Sequence, residues 1–202
     1  MTERLARRTP EEFRALILDA AAECLVEGGF ASGRLLSAIA RKAGISRPTL
    51  YKYGGTVDDI KEALVERELS TFIARVAPVL DEIAWTPEYL TDLLVFLIDY
   101  ARHHPLLRAA LRDVPELILP VFTLQARAQV DLIGEFVTPL VREHITAGRI
   151  PDIDVTLLVD ALYRVVIAAV IIETRQDLDD PASLRAYCRA VVSSLSTLPV
   201  PH

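Results

Sequence analysis

The chain has 202 residues and is 51% hydrophobic, so it can bury a full core, and wholesale disorder is excluded. Its net charge of −6 argues, on bulk charge alone, against a nucleic-acid binder, and its two cysteines, Cys24 and Cys188, lack metal-ligand spacing. No apolar N-terminal run reads as a signal peptide, and Val165–Ile172 is too short to span a bilayer, so the sequence predicts a soluble, cytoplasmic protein with no membrane segment.

Charge is unevenly placed. Residues 1–53 hold nine Lys/Arg against six Asp/Glu, while the remainder holds 13 against 22. A basic head on an acidic body suits a chain that presents one end to nucleic acid. Arg4, Arg7 and Arg8 form a basic arm, able to touch phosphates or to stay solvated. Thr9-Pro10-Glu11-Glu12 predicts a helix start, with Thr9 as N-cap, Pro10 at the first position and Glu12 closing a capping box. Phe13, Leu16, Ile17, Ala20, Ala21, Cys24 and Leu25 then make one apolar stripe, and Gly28-Gly29 ends the helix. Both cysteines fall on apolar helix faces and read as small buried hydrophobes.

Leu36 to Tyr53 reads as helix, tight turn, helix. Leu36, Ile39, Ala40 and Ala43 recur at helical spacing, and Gly44 follows as a left-handed stop. Ile45 plugs the corner, Ser46 is a good N-cap, and Pro48 sits in the first turn of the next helix. This is the outline of a helix-turn-helix, although any glycine-linked helix pair in a helical core shares it. The second helix carries Arg47, Thr49, Tyr51, Lys52 and Tyr53, all able to donate to phosphates or bases.

Three ordered segments strengthen the first reading: ILDAAAECLVEGGF (17–30), IARKAGISRPTLYKY (39–53) and DDIKEAL (58–64). Together they resemble the DNA-binding domain of the tetracycline-repressor (TetR) family. The resemblance runs from Ile17 to about Arg67 and includes PTLY at 48–51, which is similar to the recognition helix of the family's namesake. It implies an all-α protein with a three-helix DNA-binding domain at 1–56 and a helical effector-binding and dimerisation domain at 57–202. It also implies that Arg47 and Thr49 read bases, that Ser37 aligns with another base-reading position, and that Ser46, Pro48, Tyr51, Lys52 and Tyr53 line the DNA. The implied function is a repressor that binds a palindromic operator as a homodimer and is released by a small lipophilic effector.

The chain departs from the family pattern in three places. The loop at 31–36 is one residue longer, and Arg34 and Leu35 stand where a capping Thr is usual, which leaves the cap to Ser32 or to no side chain. Gly54 and Gly55 follow Tyr53 where an apolar anchor is usual, predicting a looser joint with the fourth helix. Val57 replaces a basic residue of the namesake, removing a phosphate contact.

Thr56-Val57-Asp58-Asp59 is a second capping box, opening a helix to about Ile83 with Ile60, Leu64 and Phe72 on its apolar side and Pro78 as a kink. Five further helical stretches are predicted at 87–103, 105–113, 115–148, 154–175 and 181–197, with prolines at the joints. Pro120 and Pro139 bend or split the third of them, and no segment alternates as a strand would. Asp154 and Asp180 read as N-caps.

In the body, Tyr89, Leu93, Phe96, Leu97 and Tyr100 share one side of the 87–103 helix. Phe122, Leu124 and Tyr163 can face them, with Gln125 and Arg127 as polar groups. They suit an apolar effector pocket, or equally a packed core. The resemblance implies that the last two helices form the dimer seam, through Val166, Val170, Leu184, Tyr187, Cys188, Val191 and Leu195; burial inside one subunit is the other reading.

Catalytic chemistry has no foothold. No phosphate loop, nucleotide-binding glycine pattern or serine elbow is present. His103-His104 sit at a helix end where they meet free carbonyls, and His144 reads as isolated on a charged face. The sequence predicts no enzyme, no cofactor and no metal.

Overall fold

The computed structural model of the chain describes residues 8–31 and 33–196, and these are all-α, without a strand. The helices are α1 Pro10–Val26, α2 Leu35–Lys42, α3 Arg47–Gly54, α4 Val57–Asp81, α5 Pro87–His103, α6 Pro105–Asp113, α7 Pro115–Phe122, α8 Arg127–Thr146, α9 Val155–Ile171 and α10 Pro181–Ser196, with a short 3-10 turn at Gly29–Ala31. No described helix is long and apolar enough to cross a membrane. Arg4, Arg7 and Ser32, and the side chain of Leu195, lie outside the described residues.

Helix starts follow the capping chemistry of the sequence. The Glu12 N–H donates to Thr9 Oγ1 at 3.2 Å, and the Thr9 N–H donates to Glu12 Oε2 at 2.8 Å. The same reciprocal box opens α4: the Asp59 N–H donates to Thr56 Oγ1, and the Thr56 N–H to Asp59 Oδ2 at 2.7 Å. The Thr56 N–H and hydroxyl, both donating to Asp59 Oδ2, hold the Asp59 carboxyl below its ordinary pKa, the backbone N–H most of all. Asp154 accepts from the Leu157 N–H and Asp180 from the Ser183 N–H. Arg34 stands at the N-cap of α2 and makes no side-chain cap bond, as its side chain offers no acceptor.

Chain contacts group the described residues into two compact units, one within 1–72 with 105–118 and one within 73–104 with 119–202. The first unit is built on α1. Ile17, Ala21 and Cys24 from α1 pack with Leu35, Ile39 and Ala40 from α2, Leu50 from α3, and Ile60 and Leu64 from α4. Leu106 of α6 packs on the same cluster, and Arg112 donates through Nη2 to the Val26 carbonyl at the free end of α1.

The second unit has two clusters. One joins Leu94 and Ile98 of α5 to Ala169 of α9 and Leu184, Cys188 and Val192 of α10. The other joins Ile83, Val141, Ile150, Val155 and Val159. Arg102 of α5 ties the first cluster together, donating to the Ala169 carbonyl at 2.9 Å and to Asp179 Oδ1 at 2.7 Å.

The structure differs from the sequence reading, or decides between its alternatives, at four points. The 115–148 stretch is split after Phe122, where the Gln125 N–H turns back to the Pro120 carbonyl, whereas Pro139 stays inside α8. His144 is not on a charged face: it is 5% exposed, and its Nδ1 has no hydrogen-bond partner. Its i−3 neighbour Val141 turns the same face of α8 inward. α9 is apolar almost all round in sequence, a pattern that predicts burial on all sides, but it is not so enclosed, since Leu157 and the adjoining Ile172 are exposed.

The glycine pair is the fourth difference. A Cβ on Gly54 would stand 3.0 Å from Ile17 Cγ2, so the missing side chain lets α3 approach α1 closely rather than leaving a gap. Gly55 has φ +75°, and a Cβ there would meet Asp59 Oδ2 at 2.5 Å, inside the capping box. Gly55→Ala is therefore expected to cost about 1–3 kcal/mol, from left-handed strain and the displaced carboxylate. Denaturant unfolding checks this, and an unchanged midpoint would contradict it.

Candidate nucleic-acid interface

The α2–α3 corner is held by backbone and core together. The Gly44 N–H donates to the Arg41 carbonyl and the Ile45 N–H to the Ala40 carbonyl at 3.0 Å, with Gly44 left-handed at φ 66°. Ser46 caps α3, accepting from the Thr49 N–H at 3.2 Å, and its hydroxyl shares a 2.7 Å hydrogen bond with the Thr49 hydroxyl. Leu50 points the other way and is fully buried. Burying Leu50 fixes the rotation of α3, and Arg47, Pro48, Tyr51 and Lys52 are consequently left exposed.

The predicted DNA residues divide by environment. Arg47, Pro48, Tyr51 and Lys52 are exposed, while Ser37 and Thr49 are half-buried. The Ser46 hydroxyl is already committed to its cap and to Thr49. Tyr53 is half-buried, its ring stacked on Phe13 of α1 at a centroid separation of 4.5 Å and an angle of 5°. Lys52 Nζ lies 5.0 Å from the Tyr53 ring centroid.

Basic residues near this surface are not all available. Lys42, in the last turn of α2, is paired with Glu27 at 2.7 Å and Glu23 at 3.0 Å. The Glu27 hydrogen bond, followed by that of Glu23, raises the ammonium pKa above its ordinary value. Its sequence neighbour Arg41 is exposed. Glu23 on α1 and Glu27 at its C-cap are four apart, a spacing that marks a two-carboxylate clamp, but periodicity does not name its cation. The Phe13 stack left no trace beyond an apolar residue on a stripe.

In the second unit, an open groove of about 810 Å³ runs between 122–131 and α9. Of the residues predicted for a pocket, Phe122, Arg127 and Tyr163 line it, as does Leu124. The Tyr163 hydroxyl donates to the Phe122 carbonyl at 3.2 Å, pinning the end of α7 to α9. Tyr89, Leu93, Phe96, Leu97, Tyr100 and Gln125 do not line this groove. The Tyr89 hydroxyl donates to the Val79 carbonyl at 2.7 Å, and burial, aided by Glu82, pushes its pKa up to about 12. Leu93 is buried. Phe96 stacks on Tyr100, which also faces Arg75 and His104.

The seam residues are likewise divided. Leu184 and Cys188 are buried in the chain's own core and offer no surface to a second copy; burial pushes the Cys188 thiol up to about 11. Val166, Tyr187 and Val191 are half-buried against that core, and Val170 is half-buried. The outer stripe of α9 is instead Leu157, Ala161, Arg164 and Ala168, continued by Ile172. No group of three or more potential metal ligands occurs among the described residues, and His103 Nδ1 faces the Asp99 carbonyl and carboxylate.

Residues 17–66 match the family model of the bacterial regulatory proteins, tetR family. The chain is 27% identical over 164 residues to the nucleoid occlusion factor SlmA of Haemophilus influenzae, covering 80% of this chain and 75% of that protein. Its fold is similar to a TetR-family transcriptional regulator from Pectobacterium atrosepticum, with a TM-score of 0.65, 22% identity, and coverage of 96% of this chain and 100% of the other. A TetR-like transcriptional regulator from Rhodococcus sp. RHA1 is similar at a TM-score of 0.57 and 23% identity, over 95% and 100% of the two chains.

Proposed function

We propose that the chain, a member of the tetR family of bacterial regulatory proteins whose model residues 17–66 match, is a cytoplasmic repressor that grips a palindromic operator as a homodimer and is released by a small lipophilic effector. It is a DNA-binding transcriptional regulator and not an enzyme. The observation that carries the proposal is the rotation of α3: Leu50 is locked into the core, and Arg47, Pro48, Tyr51 and Lys52 are left exposed. The functional division is a DNA-binding domain at 1–56 and an effector and dimerisation domain at 57–202.

Each part has a physical role. Arg47 donates to base edges in the major groove, and Thr49 offers a methyl group there; Tyr51 and Lys52 hold phosphates, with Tyr53 beside them. The outer stripe of α9 is the homodimer seam, extended by the small exposed residues Ala186 and Ala190 of α10. A second copy seated there closes the open side of the groove. Its floor of Phe122, Val130, Tyr163 and Ile167 is then an apolar effector site with Arg127 at its rim. The effector acts by preferring a pose in which the two recognition helices leave the half-site spacing, and its effect is bounded by that preference.

The test is footprinting on the palindrome nearest the protein's own gene, with Arg47→Ala alongside. Arg47→Ala is expected to lose about 1–3 kcal/mol, concentrated at one base position of each half-site. Equal loss on operator and random duplex would remove Arg47 from the base-reading role. A second reading has support from the Haemophilus relative, named a nucleoid occlusion factor: DNA binding that serves nucleoid occlusion. Binding sites confined to promoters favour the repressor, and sites away from promoters favour this second reading.

A further inference from the structure

We propose that Phe13 is a positioning residue for DNA binding, acting through the Tyr53 ring to aim the Lys52 ammonium; the inference rests on α3 being the DNA-reading helix. Phe13 is on the first turn of α1 and nearly buried, so its ring is fixed by the body of the unit. Tyr53 lies flat on it, 4.5 Å between centroids and 5° between planes. Lys52 Nζ then stands 5.0 Å from the Tyr53 centroid. Two rings and a cation thus form a short ladder from the core of α1 to the exposed side of α3.

The ladder answers an entropic problem. A free lysine has four rotatable bonds and loses much of that freedom when it docks on a phosphate. The face of an aromatic ring attracts the cation and narrows its range before DNA arrives. Tyr53 can do this only if its own ring is fixed. Ser46 and Thr49 are locked to each other and Leu50 is buried, which fixes the start of α3 and its inward face. The Phe13 ring fixes Tyr53. Phe13 touches no DNA in this arrangement, and its contribution passes wholly through Lys52.

The experiment is a double-mutant cycle on operator affinity, measured against salt concentration with the full-length protein, a duplex carrying its footprinted site and random-sequence competitor. Lys52→Met keeps the stem and removes the charge, and it is expected to reduce the salt slope by about 0.9 per half-site. Phe13→Leu keeps an apolar side chain in the buried position and is expected to weaken binding about two- to fivefold per half-site in the Lys52 background. In the Lys52→Met background it should have no effect, and Phe13→Tyr, which keeps the ring, should restore wild-type affinity. An independent readout is the upfield ring-current shift of the Lys52 methylene protons, present in the wild type and lost in Phe13→Leu. Equal loss in both lysine backgrounds, or Lys52 protons at solvent-exposed positions in the wild type, would overturn the proposal while leaving the DNA-reading role of α3 intact. Failure of the wild type to prefer its site over competitor would overturn both.

Discussion

Leu50→Ala should destabilise the chain by about 2–5 kcal/mol and abolish operator binding. Leu50 is fully buried and meets side chains from α1, α2 and α4, so truncation leaves a cavity where three helices converge on the fourth. The α3 helix has only eight residues, too few to persist by propensity alone. Its orientation is therefore set by this one anchor, by Gly54 against Ile17, and by the Phe13–Tyr53 stack. Denaturant unfolding gives the stability loss, and amide exchange across 46–55 locates it. A stability change under 1 kcal/mol with unaltered operator affinity would show that α3 is held by its caps, not by its core contact.

Joint substitution of Leu157→Glu and Ile172→Glu should yield a folded monomer whose operator affinity is lower by about a hundredfold or more, because two linked half-site contacts become independent events. Both side chains are largely exposed in the single chain, at 65% and 62%, so the charges cost the monomer little. At a two-fold seam each charge is buried twice, without a partner, and the penalty is several kcal/mol. Sedimentation at micromolar concentration distinguishes the states, and helical circular dichroism confirms the fold. A persisting dimer would move the seam off the outer stripe of α9 and leave the groove open to solvent in the assembly.

These two results probe different levels of encoding. Most helix starts were legible because capping is local: Thr9 with Glu12, Thr56 with Asp59, and the Asp154 and Asp180 caps depend on residues three positions apart. The helix-turn-helix was legible for the same reason, since Gly44, Ser46 and Pro48 each act on their own backbone. The charge contrast between head and body needed only counting.

Tertiary structure decided what depends on rotation and on distant neighbours. The hydrophobic period shows that α9 is apolar, but only packing separates Ala169, buried in the core, from Leu157, left outside. The aromatic side of α5 was visible in sequence. Its division into a buried Leu93, a Tyr89 held by the Val79 carbonyl and a Phe96–Tyr100 stack depends on which helix arrives opposite each residue. Leu184 and Cys188 read as a seam and are core, because the same face of a helix can meet its own subunit or a copy, and periodicity is blind to the difference. The sequence by itself determined an all-helical chain with a capped, glycine-turned recognition helix, since those signals are short-range. Only the tertiary structure decided that Gly54 is a point of close approach, that Lys42 is held by Glu23 and Glu27, and that Phe13 lies beneath Tyr53. Each of those contacts joins residues far apart along the chain, and burial of a shared apolar face brings them together.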